Sequence, residues 1–171
     1  AGNVVYFQVG NRDFALGQKF LNQFNGVLLT DTFDLTIANL NIRLEHGDAL
    51  CTDDVSYQRF RKIIRHPLIL GFLKKTPLSF RTKLANGFRK KSHAINQVKS
   101  YDVMDVNQNA VESVLAQHEL LIHGHTHRPA IHDVNGRKRI VLGDWRESSA
   151  EILELDSQQP NQTLALKTWM Y

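Results

Sequence analysis

The chain has 171 residues, 42% of them hydrophobic and 22% charged, with ten Gly and four Pro. This composition excludes a collagenous, low-complexity or wholly disordered protein and suits one globular domain with a real core. The net charge is +4, the single cysteine, Cys51, excludes an internal disulfide, and no apolar run approaches the ~18–20 residues that span a bilayer.

In chain order, Val4–Val9 reads as a buried strand ended by Gly10. Phe14–Phe24 predicts a short amphipathic helix with Phe20, Leu21 and Phe24 on one side. Strands are expected at Phe33–Ala38 and Ile42–Glu45, the second running into His46-Gly47-Asp48. A helix starts near Asp53-Asp54, where acids complement the positive end of the helix dipole. Pro67 and Pro77 break the next stretch into short helices. Asp102 or Asp105 can cap another helix reaching about His118, with Ala110, Val111, Val114 and Leu115 facing inward. Leu120–His123 is a short strand that leads into Gly124-His125-Thr126-His127. Ile131–Val134 and Arg137–Leu142 form a hairpin across the turn dipeptide Asn135-Gly136. Glu151–Leu155 and Leu164–Trp169 close the chain as strands. The order predicts an α/β core sheet with a helical insertion at about 55–99. The start, Ala1-Gly2-Asn3, has neither an initiator Met nor a signal pattern. The expectation is a cytoplasmic or membrane-surface protein.

The charge is unevenly spread. The 47 positions from Val55 to Tyr101 contain no acid and twelve bases, which leaves nine bases against 17 acids and a net −8 elsewhere. Interleaved with the bases are Phe60, Ile63, Ile64, Leu68, Ile69, Leu70, Phe72, Leu73, Leu78, Phe80 and Phe88. A basic, acid-free and strongly apolar stretch suits anionic lipid, or a ligand with phosphates and greasy tails. A helical hairpin with a solvated basic face is the plainer alternative. Nucleic acid fits the charge, but Phe among aliphatics suits tail burial better than base stacking.

Three strand ends carry polar residues that could converge: Gly10-Asn11-Arg12-Asp13, His46-Gly47-Asp48 and Gly124-His125-Thr126-His127. Open α/β sheets place their sites at strand C-termini. Neutral imidazoles suit Mn, Zn or Fe, and an Asn carbonyl oxygen suits a hard ion such as Mn. In an extended loop His125 and His127 would turn to one side, because the side-chain period is two. His118 and His132 are expected in structural roles, and His123 could orient a neighbouring ligand. Cys51 reads as a small buried residue and not a nucleophile.

These motifs resemble the last three of the five that define the calcineurin-like metallophosphoesterases, in the same order. The longer strings His46–Asp54, Met104–Ala110 and His123–Pro129 resemble those members that cleave a lipid-linked UDP-sugar at its pyrophosphate during lipid A synthesis. The resemblance covers essentially the whole chain. It implies a β-sandwich flanked by helices, of which this chain is the C-terminal portion, with a helical cap whose groove takes acyl chains. It also implies two Mn(II) ions, with Asn11, His46 and His125 on one and His127 on the other. Asn11, Arg12, Asp54, Ser92, Asn96, Lys99 and His125 would contact substrate, and Asn11, Arg12 and His125 would carry the chemistry. The resemblance places the protein on the cytoplasmic face of the bacterial inner membrane, with no nucleic-acid partner. The family's first two motifs have no counterpart in the chain, so a separate N-terminal fragment is a possible partner. Another metallophosphoesterase activity (nuclease or phosphatase) and a catalytically silent membrane-binding fragment are the alternatives.

Overall fold

The computed structural model describes residues 2–97, 101–156, 158 and 164–171. Its centre is a five-stranded mixed sheet built from β3 (Thr32–Ile37), β4 (Leu40–Glu45), β5 (Leu120–His123), β6 (Ala130–Val134) and β7 (Arg137–Val141), in the order β3-β4-β5-β7-β6. The three central strands β4, β5 and β7 run parallel, and each edge strand is antiparallel to its neighbour. A parallel pair, β1 (Tyr6–Phe7) with β2 (Val27–Leu28), and an antiparallel pair, β8 (Ser149–Glu154) with β9 (Ala165–Met170), complete the strands described. The fold is α/β.

Alternation along β5 explains the layering. Leu120 packs with Ile42 and Ile140 against Leu153, Leu155, Leu164 and Leu166, so the β8–β9 hairpin covers that face. Leu121 points the other way, into Val111 and Leu115 of α6 (Gln108–Leu115), together with Leu50 and Val134. Each such Leu, fully buried, contributes about 1.5–3 kcal/mol. Helix α6 is capped by Asn107, whose side chain accepts from Ala110 N, and not by Asp102 or Asp105. The expected single helix is interrupted: a short α5 (Tyr101–Met104) precedes it, and a loop at Asp105–Val106 separates the two.

The helical segment divides at its prolines as expected. Helices α2 (Val55–Ile64), α3 (Pro67–Lys75) and α4 (Leu78–Asn96) succeed one another, and Pro67 occupies the first helical turn of α3, where its missing N–H costs nothing. Phe60 of α2 and Phe88 of α4 meet edge to face at 5.1 Å. Much of the remaining apolar set faces solvent, with Leu68 78% and Phe72 66% exposed and Ile63, Leu78 and Phe80 also outside.

The N-terminal segment departs from expectation. Within Val4–Val9 only Tyr6 and Phe7 form strand, Val4, Val5 and Tyr6 are exposed, and Val9 alone is buried. The pair β1–β2 has only two residues per strand, too short to cover its own faces. The predicted helix over Phe14–Phe24 contracts to α1 (Gln18–Leu21) and a 3-10 turn at Asn22–Phe24. Leu21 is its buried anchor, while Phe20 and Phe24 stay exposed and pack on each other at 5.7 Å.

Candidate active site

Strands β4 and β5 run side by side in the same direction, with Glu45 opposite His123. The residues that leave their C-terminal ends are therefore neighbours, and Gly124 N donates to His46 O at 3.1 Å. The His46 and His125 rings meet edge to face with centroids 5.1 Å apart. The chain leaving β1 joins them from the other side. There, Gln8 Nε2 donates to the carbonyls of Leu44 and Asp31, both at 3.1 Å, and fixes this segment beside β4. Asn11 Oδ1 then lies 3.3 Å from His46 Nε2. Asp13 accepts from Gly10 N and closes the loop.

Two glycines make this approach possible. A Cβ on Gly10 would come within 2.7 Å of the His46 ring, so only glycine lets the imidazole lie over this backbone. Gly47 has φ +102, and a Cβ there would strike His123 Nδ1 at 2.7 Å.

The structure brings together Asn11, His46 and His125, one donor from each motif. His127 is close enough that a positive charge on it disfavours one on His46 or His125. Its loop is not extended as expected. His125 and His127 both have left-handed backbones, φ 66 and 52, and Thr126 N bonds back to Gly124 O at 2.8 Å. A tight turn, and not strand alternation, sets where these imidazoles point; such non-glycine conformations cost on the order of 1–3 kcal/mol and cluster at functional sites.

Burial, reinforced by the nearby His46, pushes the His125 imidazole down to about 4. Burial likewise lowers His46, with Asp48 opposing. Both rings are thus neutral at physiological pH, the form that offers a lone pair to a cation. Two neutral imidazoles and an amide oxygen on facing loops fit a divalent cation of Mn or Zn type. Among the described residues, no group of three or more His, Cys, Asp or Glu forms a cage by itself.

The remaining expected residues divide. Arg12 is exposed at the rim, beside Asn11. Asp54 is buried and caps α2, its Oδ1 accepting from Tyr57 N at 3.0 Å and Ser56 Oγ at 2.8 Å. Ser92 is an exposed residue of α4; the side chain of Asn96 and the whole of Lys99 lie outside the described residues. His118 has the structural role expected, its ring held by Val114 O at 2.9 Å and Asp34 at 3.2 Å. Cys51 is buried and its thiol is pushed up to about 12, chiefly by desolvation, which makes it a poor nucleophile.

The residues that hold Asp48 went unforeseen. Asp48, 1% exposed, accepts from the Tyr57 hydroxyl, from Arg61 Nε at 3.0 Å and from Arg65 Nη2 at 3.1 Å. Burial raises its carboxyl, but the Tyr57 hydroxyl and the two guanidiniums outweigh that and hold it below the usual carboxylate range. Tyr57, Arg61 and Arg65 recur every four residues on one face of α2 and its C-cap, a spacing visible in the sequence. His123, expected as able to orient a neighbouring ligand, is also 1% exposed, with Nδ1 3.0 Å from Gly124 O and Nε2 buried without a partner among the described residues.

No family model matches the chain. Over 164 residues it is 42% identical to the UDP-2,3-diacylglucosamine hydrolase of Pseudomonas putida (strain W619), an alignment that covers 92% of this chain and 68% of that protein. The chain belongs to this hydrolase family. The hydrolase of the same name from Haemophilus influenzae (strain PittGG) is 44% identical over 153 residues, 88% of this chain and 65% of that one. A third member, from Neisseria meningitidis serogroup C (strain 053442), is 46% identical over 157 residues, 91% of this chain and 65% of its own length. The chain thus spans about two thirds of the length of these family members. Among solved structures it is similar to an archaeal phosphodiesterase, with TM-score 0.46 and 14% identity over 97% of this chain and 68% of that one.

Proposed function

We infer that this chain serves the hydrolysis of UDP-2,3-diacylglucosamine at its pyrophosphate bond, giving UMP and 2,3-diacylglucosamine 1-phosphate. Family membership supports the hydrolase reading. The observation that carries it further is the meeting of Asn11, His46 and His125 beside an acid-free helical segment with exposed apolar side chains. A nucleotide–lipid substrate has the complementary halves, a charged pyrophosphate for the polar strand ends and acyl chains for the helices. The exposed aliphatic load disfavours nucleic acid as the substrate.

Asn11, His46, His125 and His127 would hold divalent metal, which we take to be Mn(II). When bound, such an ion withdraws charge from a phosphoryl oxygen and makes water a better nucleophile. The protein's own part is positioning. Arg12 presents a planar fork to the phosphates, and its permanent charge steadies the charge that develops on the departing phosphate. A phosphate leaving group needs little protonation, so an arginine here suits a pyrophosphate better than an alkyl ester. In the overall reaction water oxygen bonds to the uridyl phosphorus, the P–O bond to the sugar phosphate breaks, and the water's protons pass to solvent.

Residues 55–99 would act as a cap against the cytoplasmic face of the inner membrane, where Leu68, Phe72 and Leu78 meet lipid and the bases meet its headgroups. No helix among the described residues is long and apolar enough to cross a membrane. Hydrolysis in ¹⁸O-labelled water tests the chemistry. Label in the UMP phosphate is the expected result; label in the lipid phosphate, or no UMP, contradicts it.

A further inference from the structure

Contacts through Tyr57, Arg61 and Arg65, on one face of α2 and its C-cap, link all three loops of the site. Gln8, two residues before Gly10, bonds the backbone of Asp31. The Asp31 carboxylate pairs with Arg61 at 3.0 Å and Arg65 at 2.9 Å. Both guanidiniums also grip Asp48, the third residue of the His46 loop. Asp48 in turn accepts from the Tyr57 hydroxyl, and the Tyr57 ring stacks on His125 with centroids 6.3 Å apart and 25° between planes. The ring is thus fixed at its hydroxyl end by a buried carboxylate, and its face lies against an imidazole that sits on a strained left-handed backbone.

We propose that Tyr57 is a positioning residue: anchored on Asp48, its ring holds the His125 imidazole against His46 and so keeps the donor set assembled. This deepens the metallohydrolase reading and rests on it. The helical segment then has two parts with different duties, α2 registering the site and α3 and α4 facing outward. An Asp48–Arg pair used only to staple α2 to the sheet would need no aromatic ring stacked on the imidazole. The side chains that support a ligand are commonly worth 10–100-fold in metal affinity.

The test compares the chain with its Tyr57→Leu and Tyr57→Phe variants in two readouts. One is Mn(II) affinity by electron paramagnetic resonance of the free ion. The other is the imidazole ¹H–¹⁵N spectrum of the metal-free protein. Tyr57→Leu should lose about 10–100-fold in Mn(II) affinity, and its His125 and His46 signals should broaden or double. Tyr57→Phe, which keeps the ring but frees it from Asp48, should fall between Tyr57→Leu and the unsubstituted chain, with broadened His125 and His46 signals. Equal affinity and unchanged line shapes in Tyr57→Leu would overturn the proposal, as would Tyr57→Phe matching the unsubstituted chain in both readouts. Should the unsubstituted chain bind no Mn(II), the metallohydrolase reading fails, while the imidazole spectra still decide whether Tyr57 holds His125.

Discussion

The strand-end site and the helical segment beside it use polarity in opposite ways. At the strand ends, buried polar groups meet one another, Asp48 with three donors and His46 with Asn11, while His123 Nε2 has no partner among the described residues. On α3 and α4, Lys74, Lys75, Lys83, Arg89 and Lys90 stay in water, and Leu68, Phe72 and Leu78 lie exposed among them. The first region has a fixed geometry that tolerates little change. The second gains little stability from its apolar residues, which suits a surface meant to meet something else.

The largest contrast in stability should come from Asp48. Replacing it by Ala removes the buried carboxylate that Tyr57, Arg61 and Arg65 share, leaves the two guanidiniums only the exposed Asp31, and should cost about 3–5 kcal/mol in a urea titration. Leu121→Ala, in the core beneath the site, should cost about 2–5 kcal/mol. Arg12→Ala sharpens the comparison from the functional side. Arg12 is exposed, so unfolding should hardly change, yet its loss should raise the barrier to hydrolysis by ~2–4 kcal/mol, by analogy with removing an oxyanion donor. Near-normal turnover in that variant would remove Arg12 from the chemistry.

Cys51 reports on burial beside the site through pH. Its thiol is raised to about 12 in the folded chain, whereas an unfolded thiol titrates near ~8.5. The protonated form favours folding, so this contribution is fully present below pH ~8.5 and is lost as pH rises toward the folded value. Relative to Cys51→Ala, the chain should lose about 2 kcal/mol of stability between pH 8.5 and pH 10. Parallel pH profiles would show Cys51 to be accessible. The smallest stability effect belongs to Leu68→Ser, expected within about 0.5 kcal/mol. The same change should weaken sedimentation with anionic vesicles about tenfold, as one buried Leu is worth roughly 1.5–3 kcal/mol. Unchanged vesicle binding would make the exposed apolar face irrelevant to lipid.

Features governed by local chemistry were legible from sequence. Asp54 caps α2, Pro67 and Pro77 divide the helices, and Asn135 and Gly136 take the left-handed turn of the hairpin, φ 54 and 79. His118 and Cys51 also fell in the structural roles expected of them. What depends on distant neighbours was not legible. Val4, Val5 and Tyr6 have the composition of a buried strand but meet nothing that covers them among the described residues. The turn at His125 and His127 contradicts simple alternation: Gly124 N bonds to His46 O, and Thr126 N turns back to Gly124 O. The Asp48 network was half visible, because the four-residue spacing of Tyr57, Arg61 and Arg65 marks one helix face. Nothing in that spacing says which carboxylate the face will meet.

We propose that Asn11, His46 and His125 belong to a metal-dependent site for pyrophosphate hydrolysis. UMP release from UDP-2,3-diacylglucosamine in detergent micelles tests it most directly, using protein stripped by chelator and then reloaded with Mn(II). A metal-dependent site gives no release from stripped protein, recovery with Mn(II), and no recovery in His125→Ala. Release that survives stripping, or that Mn(II) restores equally in His125→Ala, would contradict it.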